Sequence, residues 1–175
     1  MAFVIHDIKN SDRTDIVKEI VSKTKATHYQ AIMLPNKREG CLNSHLGVAR
    51  LARGLHPDKH YLVFEDDCVL SDDWQEALKG MEFVDVLYLG YNDKCDKAVF
   101  GTHAYCLSPK ARDILLEHAH EVALHVEVPF AIDWILSALY RKYGLVVAMP
   151  KMEDRERYCH QKRGFVSQIT GQIRN

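Results

Sequence analysis

The chain has 175 residues, near the common size of one domain, and at that length a compact fold buries ~70% of its unfolded surface without a disulfide or metal staple. Lys and Arg number 23 against 24 Asp and Glu, a net charge of −1, with 27% charged and 47% hydrophobic residues. That balance excludes a disordered tail, a collagen-like repeat and a strongly basic nucleic-acid binder. The longest apolar runs, such as Leu145 to Met149, fall far short of the ~20 residues that span a bilayer, so no transmembrane segment is expected. Asp7 interrupts the amino terminus and no basic n-region precedes it, which predicts a cytoplasmic chain. The five cysteines, Cys41, Cys68, Cys95, Cys106 and Cys159, are odd in number and contain no CxxC pair. Reduced thiols are expected rather than a disulfide framework or a zinc ribbon.

Apolar runs and helical periodicities alternate along the chain, the signature of an α/β fold on a mostly parallel sheet flanked by helices. Phe3 to Ile8 reads as a first strand, and Asp12 precedes the stripe Ile16, Val17, Ile20 and Val21 of a helix ending near Lys25. Thr27 to Leu34 is a weaker strand and Pro35 to Gly40 a loop. Leu42, Leu46, Ala49 and Leu55 then mark a helix stopped by His56-Pro57. Tyr61 to Phe64 is a buried-type strand ending in Glu65-Asp66-Asp67, and Asp72 or Asp73 caps a short helix through Leu78. Val84 to Leu89 and Val99 to Leu107 are strands separated by a polar stretch. Ser108-Pro109 starts a helix running to about Glu121. Ile132 to Tyr143 is the last helix, Gly144 its stop, Leu145 to Met149 the last strand, and the final 25 or so residues an irregular tail packing near the site. No repeat or linker interrupts the chain, which predicts one domain over residues 1–175.

In open α/β sheets ligands gather at the carboxyl ends of the strands, where Glu65-Asp66-Asp67 stands. Three adjacent carboxylates repel one another unless a cation or backbone N–H groups offset them. Hard oxygen ligands of this kind suit Mg²⁺ or Mn²⁺ and, through it, a diphosphate. The alternative is that they solubilise a strand end and cap a turn. Asp133 opens a strongly apolar helix, either as its N-cap or as a general base facing the same cleft. His45 follows Ser44 early in a helix, His103 lies in a strand, and His160 in the tail becomes a metal-ligand candidate where that tail folds back over the acids. No P-loop, dinucleotide fingerprint, nucleophile elbow or HExxH helix occurs.

Four stretches in order resemble glycosyltransferase family 25, which includes lipooligosaccharide and collagen galactosyltransferases. They are Arg38 to His45, with its acid, glycine, cysteine and serine-histidine; Tyr61 to Leu70, an apolar strand followed by Glu-Asp-Asp; Gly101 to Ala111; and Asp133 with the tail from Gln161 to Ile169, including Ser167. The resemblance implies a GT-A type fold and a hexosyltransferase that moves galactose or glucose from a nucleotide-diphospho-sugar, most often UDP-linked, to a glycan or protein hydroxyl. It implies Mn²⁺ or Mg²⁺ at a DxD-like motif, with Asp67 and Glu65 on the metal and Glu65, Asp66, Asp67, Ser44 and His45 near the donor. His160 joins the metal set and Asp133 is the candidate base. The opening strand departs from the family pattern and the segment before Gly40 is short, which favours as alternative a non-catalytic remnant binding nucleotide, glycan or a partner protein. A metal-dependent phosphohydrolase is a third reading, and a homo-oligomer is left open.

Overall fold

A computed structural model describes residues 1–94, 98–100 and 103–161. Cys95, Gly101, Thr102 and the tail beyond Gln161, with Ser167, lie outside the described residues.

The central sheet has six strands: β1 (Ala2–His6), β2 (Thr27–Gln30), β3 (Tyr61–Glu65), β5 (Val86–Tyr88), β8 (Ala104–Leu107) and β9 (Val147–Ala148), in the spatial order β2-β1-β3-β8-β5-β9. Strand β8 alone runs antiparallel to its neighbours β3 and β5, and the other pairings are parallel. Two small ribbons lie outside it: β4 (Cys68–Leu70) pairs antiparallel with β10 (Cys159–Gln161), and β6 (Asp93–Lys94) with β7 (Val99–Phe100).

Strands β1, β3, β5 and β8 read as largely apolar runs because both faces of the sheet are covered there. Phe3, Ile5, Tyr61, Val63, Tyr88 and Tyr105 point to one side, where they pack with α2 (Lys37–Leu55), α3 (Pro109–Ala123) and α4 (Ile132–Tyr143). Val4, Leu62, Phe64, Leu87 and Cys106 point to the other, against α1 (Thr14–Thr24) and Trp74. The result is a single mixed α/β domain of the expected class.

Several boundaries differ from expectation for local reasons. Pro35 to Gly40 is only partly a loop, because the Asn36 side chain accepts from the Glu39 N–H at 3.4 Å and starts α2 at Lys37. His45 therefore sits in the third turn of α2. Helix α1 begins at Thr14, with Asp12 in a preceding 3₁₀ turn rather than capping it. Asp133 is not a cap, since the N-cap of α4 is Ala131 and Asp133 lies inside the first turn, where its charge complements the helix dipole. Val99 to Leu107 divides into β7 and β8. The tail is not wholly irregular: a 3₁₀ turn at Met152–Asp154 precedes β10, which folds back along β4. That ribbon buries Cys68 and Cys159 with their Sγ atoms 2.8 Å apart, and the four described cysteines are free.

Gly40 lets the first turn of α2 approach the segment after β2. A Cβ there would stand 2.5 Å from the Ile32 carbonyl oxygen and 3.1 Å from the Leu34 nitrogen, both main-chain atoms. Alanine in a helix interior is otherwise worth ~1 kcal/mol over glycine, but the backbone clash outweighs that gain. Gly40→Ala is expected to lower stability by roughly 1–3 kcal/mol in a denaturant titration. A stabilised variant would show that the 31–34 segment yields freely.

Candidate active site

A cleft opens to solvent at the carboxyl ends of β1, β2 and β3. Ile5 and Arg13 form one side, Ala31 to Leu34 another, and Lys37, Cys41, Ser44 and His45 of α2 a third. Glu65, Asp66, Asp67 and Gln161 close it. This is where a parallel sheet offers strand-end residues that its ladder does not consume.

Each of the three acids has a different partner. Arg13, buried, donates from Nη1 to Asp66 Oδ1 in a tight ion pair and lies 3.5 Å from Asp67 Oδ2. Glu65 Oε1 stands 3.3 Å from His45 Nε2. Asp67 Oδ2 accepts from Gln161 Nε2 at 2.6 Å, and Gln161 is held in turn by Asn92 at 2.8 Å. Asp67 is buried rather than accessible as a strand-end acid is expected to be, and its Oδ1 has no hydrogen-bond partner among the described residues. An orphaned buried carboxylate oxygen is a feature that functional sites tolerate and cores do not.

His45 is buried, with Nδ1 2.7 Å from the Tyr105 hydroxyl and its ring stacked on that tyrosine at 5.7 Å between centroids. Ser44 belongs to the scaffold: Oγ donates to the Gly40 carbonyl and accepts from the Ile32 N–H, both at 2.8 Å, tying the 31–34 wall to α2. His160 is exposed on β10, and alternation along the strand turns Gln161, not His160, to the acids. Asp133 is outside the cleft lining, in the first turn of α4, which packs on the same side of the sheet as α2. Thus the fold joins Ser44, His45, Glu65, Asp66 and Asp67 at one cleft, sets Asp133 near it, and leaves His160 facing solvent. Arg13, Tyr105 and Gln161 carry geometry that local sequence reading assigned to no role. The one signal for Arg13 was a cation just after a strand end; for Gln161 there was only the order of the tail.

The electrostatics favour a cation. Burial raises the pKa of Glu65, the Asp67 and Asp133 charges add to it, and His45 opposes. Burial likewise raises that of Asp66, with the Arg13 guanidinium offsetting part. Burial and then the charges of Glu65, Asp133, Asp67 and Asp66 hold the Cys41 thiol well above its ordinary range. A carboxyl whose folded pKa is raised stabilises the fold fully below its ordinary value and loses that contribution as pH rises through the folded pKa. Ionised Glu65 is therefore a cost to the unliganded chain at neutral pH. Glu65→Gln is expected to raise the Tm at pH 8 by roughly 2–4 °C, about 1 kcal/mol for a domain this size, with the gain shrinking toward pH 4. A lower Tm at pH 8 would show that the His45 contact dominates instead.

His103, whose main-chain carbonyl accepts from the Glu65 N–H, and Cys159 are both buried near the acids, and neither ring nitrogen of His103 has a hydrogen-bond partner among the described residues. Burial opposes both charged forms. The Cys159 charge nevertheless brings His103 up to about 9, and the Cys68 hydrogen bond with the His103 charge brings Cys159 down to about 6.

No sequence-family profile matches the chain, and no curated protein matches it. Among solved structures, it is similar to a glycosyltransferase involved in the glycosylation of the major capsid of PBCV-1, with a TM-score of 0.50 and 9% identity over 82% of this chain and 74% of that one. It is also similar to the inositol-1-phosphate CTP transferase from T. maritima, with a TM-score of 0.48 and 12% identity over 83% of this chain and 64% of that one. The first likeness shows a mixed α/β fold shared with that structure, and at such identity it shows the fold alone. No helix among the described residues is long and apolar enough to cross a membrane.

Proposed function

We propose that this protein is a transferase that takes a nucleotide-diphospho-sugar in the cleft above β1, β2 and β3 and passes its sugar to a hydroxyl acceptor. The observation that carries the reading is Asp67: a buried carboxylate with one oxygen lacking a partner, beside Glu65, at the strand-end position where such folds bind ligands. The resemblance to family 25 refines it to a hexosyltransferase using UDP-galactose or UDP-glucose, with a glycan or glycoprotein as acceptor.

A hard divalent ion, Mn²⁺ or Mg²⁺, fits the donor set. Asp67 Oδ1 has no hydrogen-bond partner among the described residues, and Glu65, its pKa raised by burial and then by the Asp67 and Asp133 charges, is a carboxylate whose ionisation a cation would relieve. Asp67 and Glu65 would hold it, while Asp66 is engaged by Arg13. Such an ion supplies charge neutralisation for a leaving diphosphate. Of this chain's own groups, Lys37 and the amino-terminal turn of α2 line the cleft opposite the acids and attract phosphate oxygens. Apolar Ile5, Ala31, Ile32 and Leu34 form a wall for the flat face of a base. Gln161 holds Asp67 in place. Asp133, in the first turn of α4, is the candidate to accept the acceptor hydroxyl's proton.

The test is whether UDP stabilises the protein with Mn²⁺ and not with EDTA, by thermal shift and then calorimetry. Metal-dependent binding supports the reading, and screening UDP-sugars for transfer follows. No response to any nucleotide would replace it with a non-catalytic GT-A-like protein. Release of phosphate without an acceptor would identify a phosphohydrolase. In the same assay Asp133→Asn is expected to keep UDP affinity and lose ~100-fold or more in transfer. Equal turnover would leave Asp133 only its dipole role in α4.

A further inference from the structure

Cys41 and His45 stand four residues apart on α2, so both side chains leave one face of the helix. Glu65 ends β3 opposite that face. One donor atom from each, the thiol sulfur, an imidazole nitrogen and a carboxylate oxygen, all lie within 4.8 Å of one another, and all three residues line the cleft. His45 is prevented from turning: it is 1% exposed, its Nδ1 is engaged by the Tyr105 hydroxyl, and its Nε2 is directed at Glu65 Oε1. A ring nitrogen held from behind by a second group is the arrangement that orients metal-ligating histidines.

We propose that Cys41, His45 and Glu65 form a binding site for a borderline transition-metal ion of the Zn²⁺ class, adjoining the hard-ion position at Asp67 and sharing Glu65 with it. The donor set decides the class: thiolate and imidazole with one carboxylate suit Zn²⁺ or Co²⁺, whereas Mg²⁺ and Ca²⁺ avoid sulfur. Bond lengths of about 2.0–2.3 Å in a tetrahedron bring ligand atoms to roughly 3.5 Å separation. The triad reaches that by a small closure, which half-buried Cys41 can supply by rotating. On binding, the Cys41 thiol releases its proton to solvent, Nε2 gives its lone pair to the ion, and Nδ1–H donates to the Tyr105 oxygen. Three protein ligands leave a fourth position for water or an oxygen ligand in the cleft. The Cys41–His45–Glu65 set needs no donor nucleotide, so the site stands whether or not the transferase reading holds.

The test is Co²⁺ added to EDTA-treated protein. Expected are a thiolate-to-cobalt charge-transfer band in the near ultraviolet and tetrahedral bands in the visible, saturating at one ion per chain and displaced by Zn²⁺. Asp67→Ala is expected to keep the charge-transfer band and Cys41→Ser to lose it, with circular dichroism confirming that both fold. No such band in the wild-type chain, or its persistence in Cys41→Ser, would overturn the proposal. In the unaltered chain, Zn²⁺ should slow iodoacetamide labelling of Cys41, mapped by mass spectrometry, by ~10-fold or more. Unchanged labelling at saturating Zn²⁺ would equally overturn it. Failure of UDP binding with Mn²⁺ alongside an intact cobalt band would sink the transferase reading alone.

Discussion

Arg13→Met is expected to destabilise the protein by about 3–5 kcal/mol at pH 8, the cost of breaking a buried ion pair and leaving one charge behind. Arg13 and Asp66 retain only 6% of their side-chain exposure, and the same guanidinium lies 3.5 Å from Asp67. The deficit follows the ionisation of Asp66. Its pKa already lies above the ordinary value because burial outweighs the arginine, and removing the arginine raises it further. A carboxyl of that kind contributes stability in full below its ordinary range and loses it as pH rises through the folded value, so the variant should recover toward pH 4. Asp66→Asn in the same chain should restore most of the loss at pH 8, since the carboxylate most tightly paired with Arg13 is then neutral and Asp67 keeps its bond from Gln161. Urea titrations at the two pH values provide the measurement. A pH-independent loss, unaffected by the second substitution, would mean that Arg13 acts through packing rather than charge.

Asp67→Ala is expected to abolish metal-dependent UDP binding, a loss of at least ~100-fold, while the fold persists. Asp66 keeps Arg13, Gln161 keeps Asn92, and one negative charge leaves a neighbourhood that already raises the Glu65 and Cys41 pKa values. Stability without ligand should therefore change by no more than ~1 kcal/mol. Calorimetry with Mn²⁺ and UDP reads the first effect and a thermal melt the second. An unchanged UDP affinity in a folded variant would remove the hard-ion role from Asp67.

The division between what was legible in the chain and what was not follows the range of the forces involved. Continuous apolar runs at Val4, Val63 and Leu87 and the helical stripe of Ile16, Val17 and Ile20 made a two-sided α/β sheet readable, because backbone periodicity is a local property. Glu65 to Asp67 could be placed at a strand end for the same reason. The start of α2 was misplaced because one Asn36 side chain outweighed the turn signal of Pro35. The antiparallel insertion of β8 between β3 and β5 depends on which apolar strand finds which, and no pattern within Ala104 to Leu107 records it.

The site divides along the same line. From its sequence alone, the protein had to be a globular α/β domain with a cluster of acids where a cleft forms, and those acids needed positive charge nearby. That Arg13 supplies it, from 53 positions away, is a tertiary fact. So are the bond from Gln161 to Asp67 across 94 positions and the Tyr105 hydroxyl behind His45 across 60. Each side chain is polar and unremarkable in its own segment. It acquires a function only when chain reversal removes water from around it and leaves one partner within reach, which local composition does not encode.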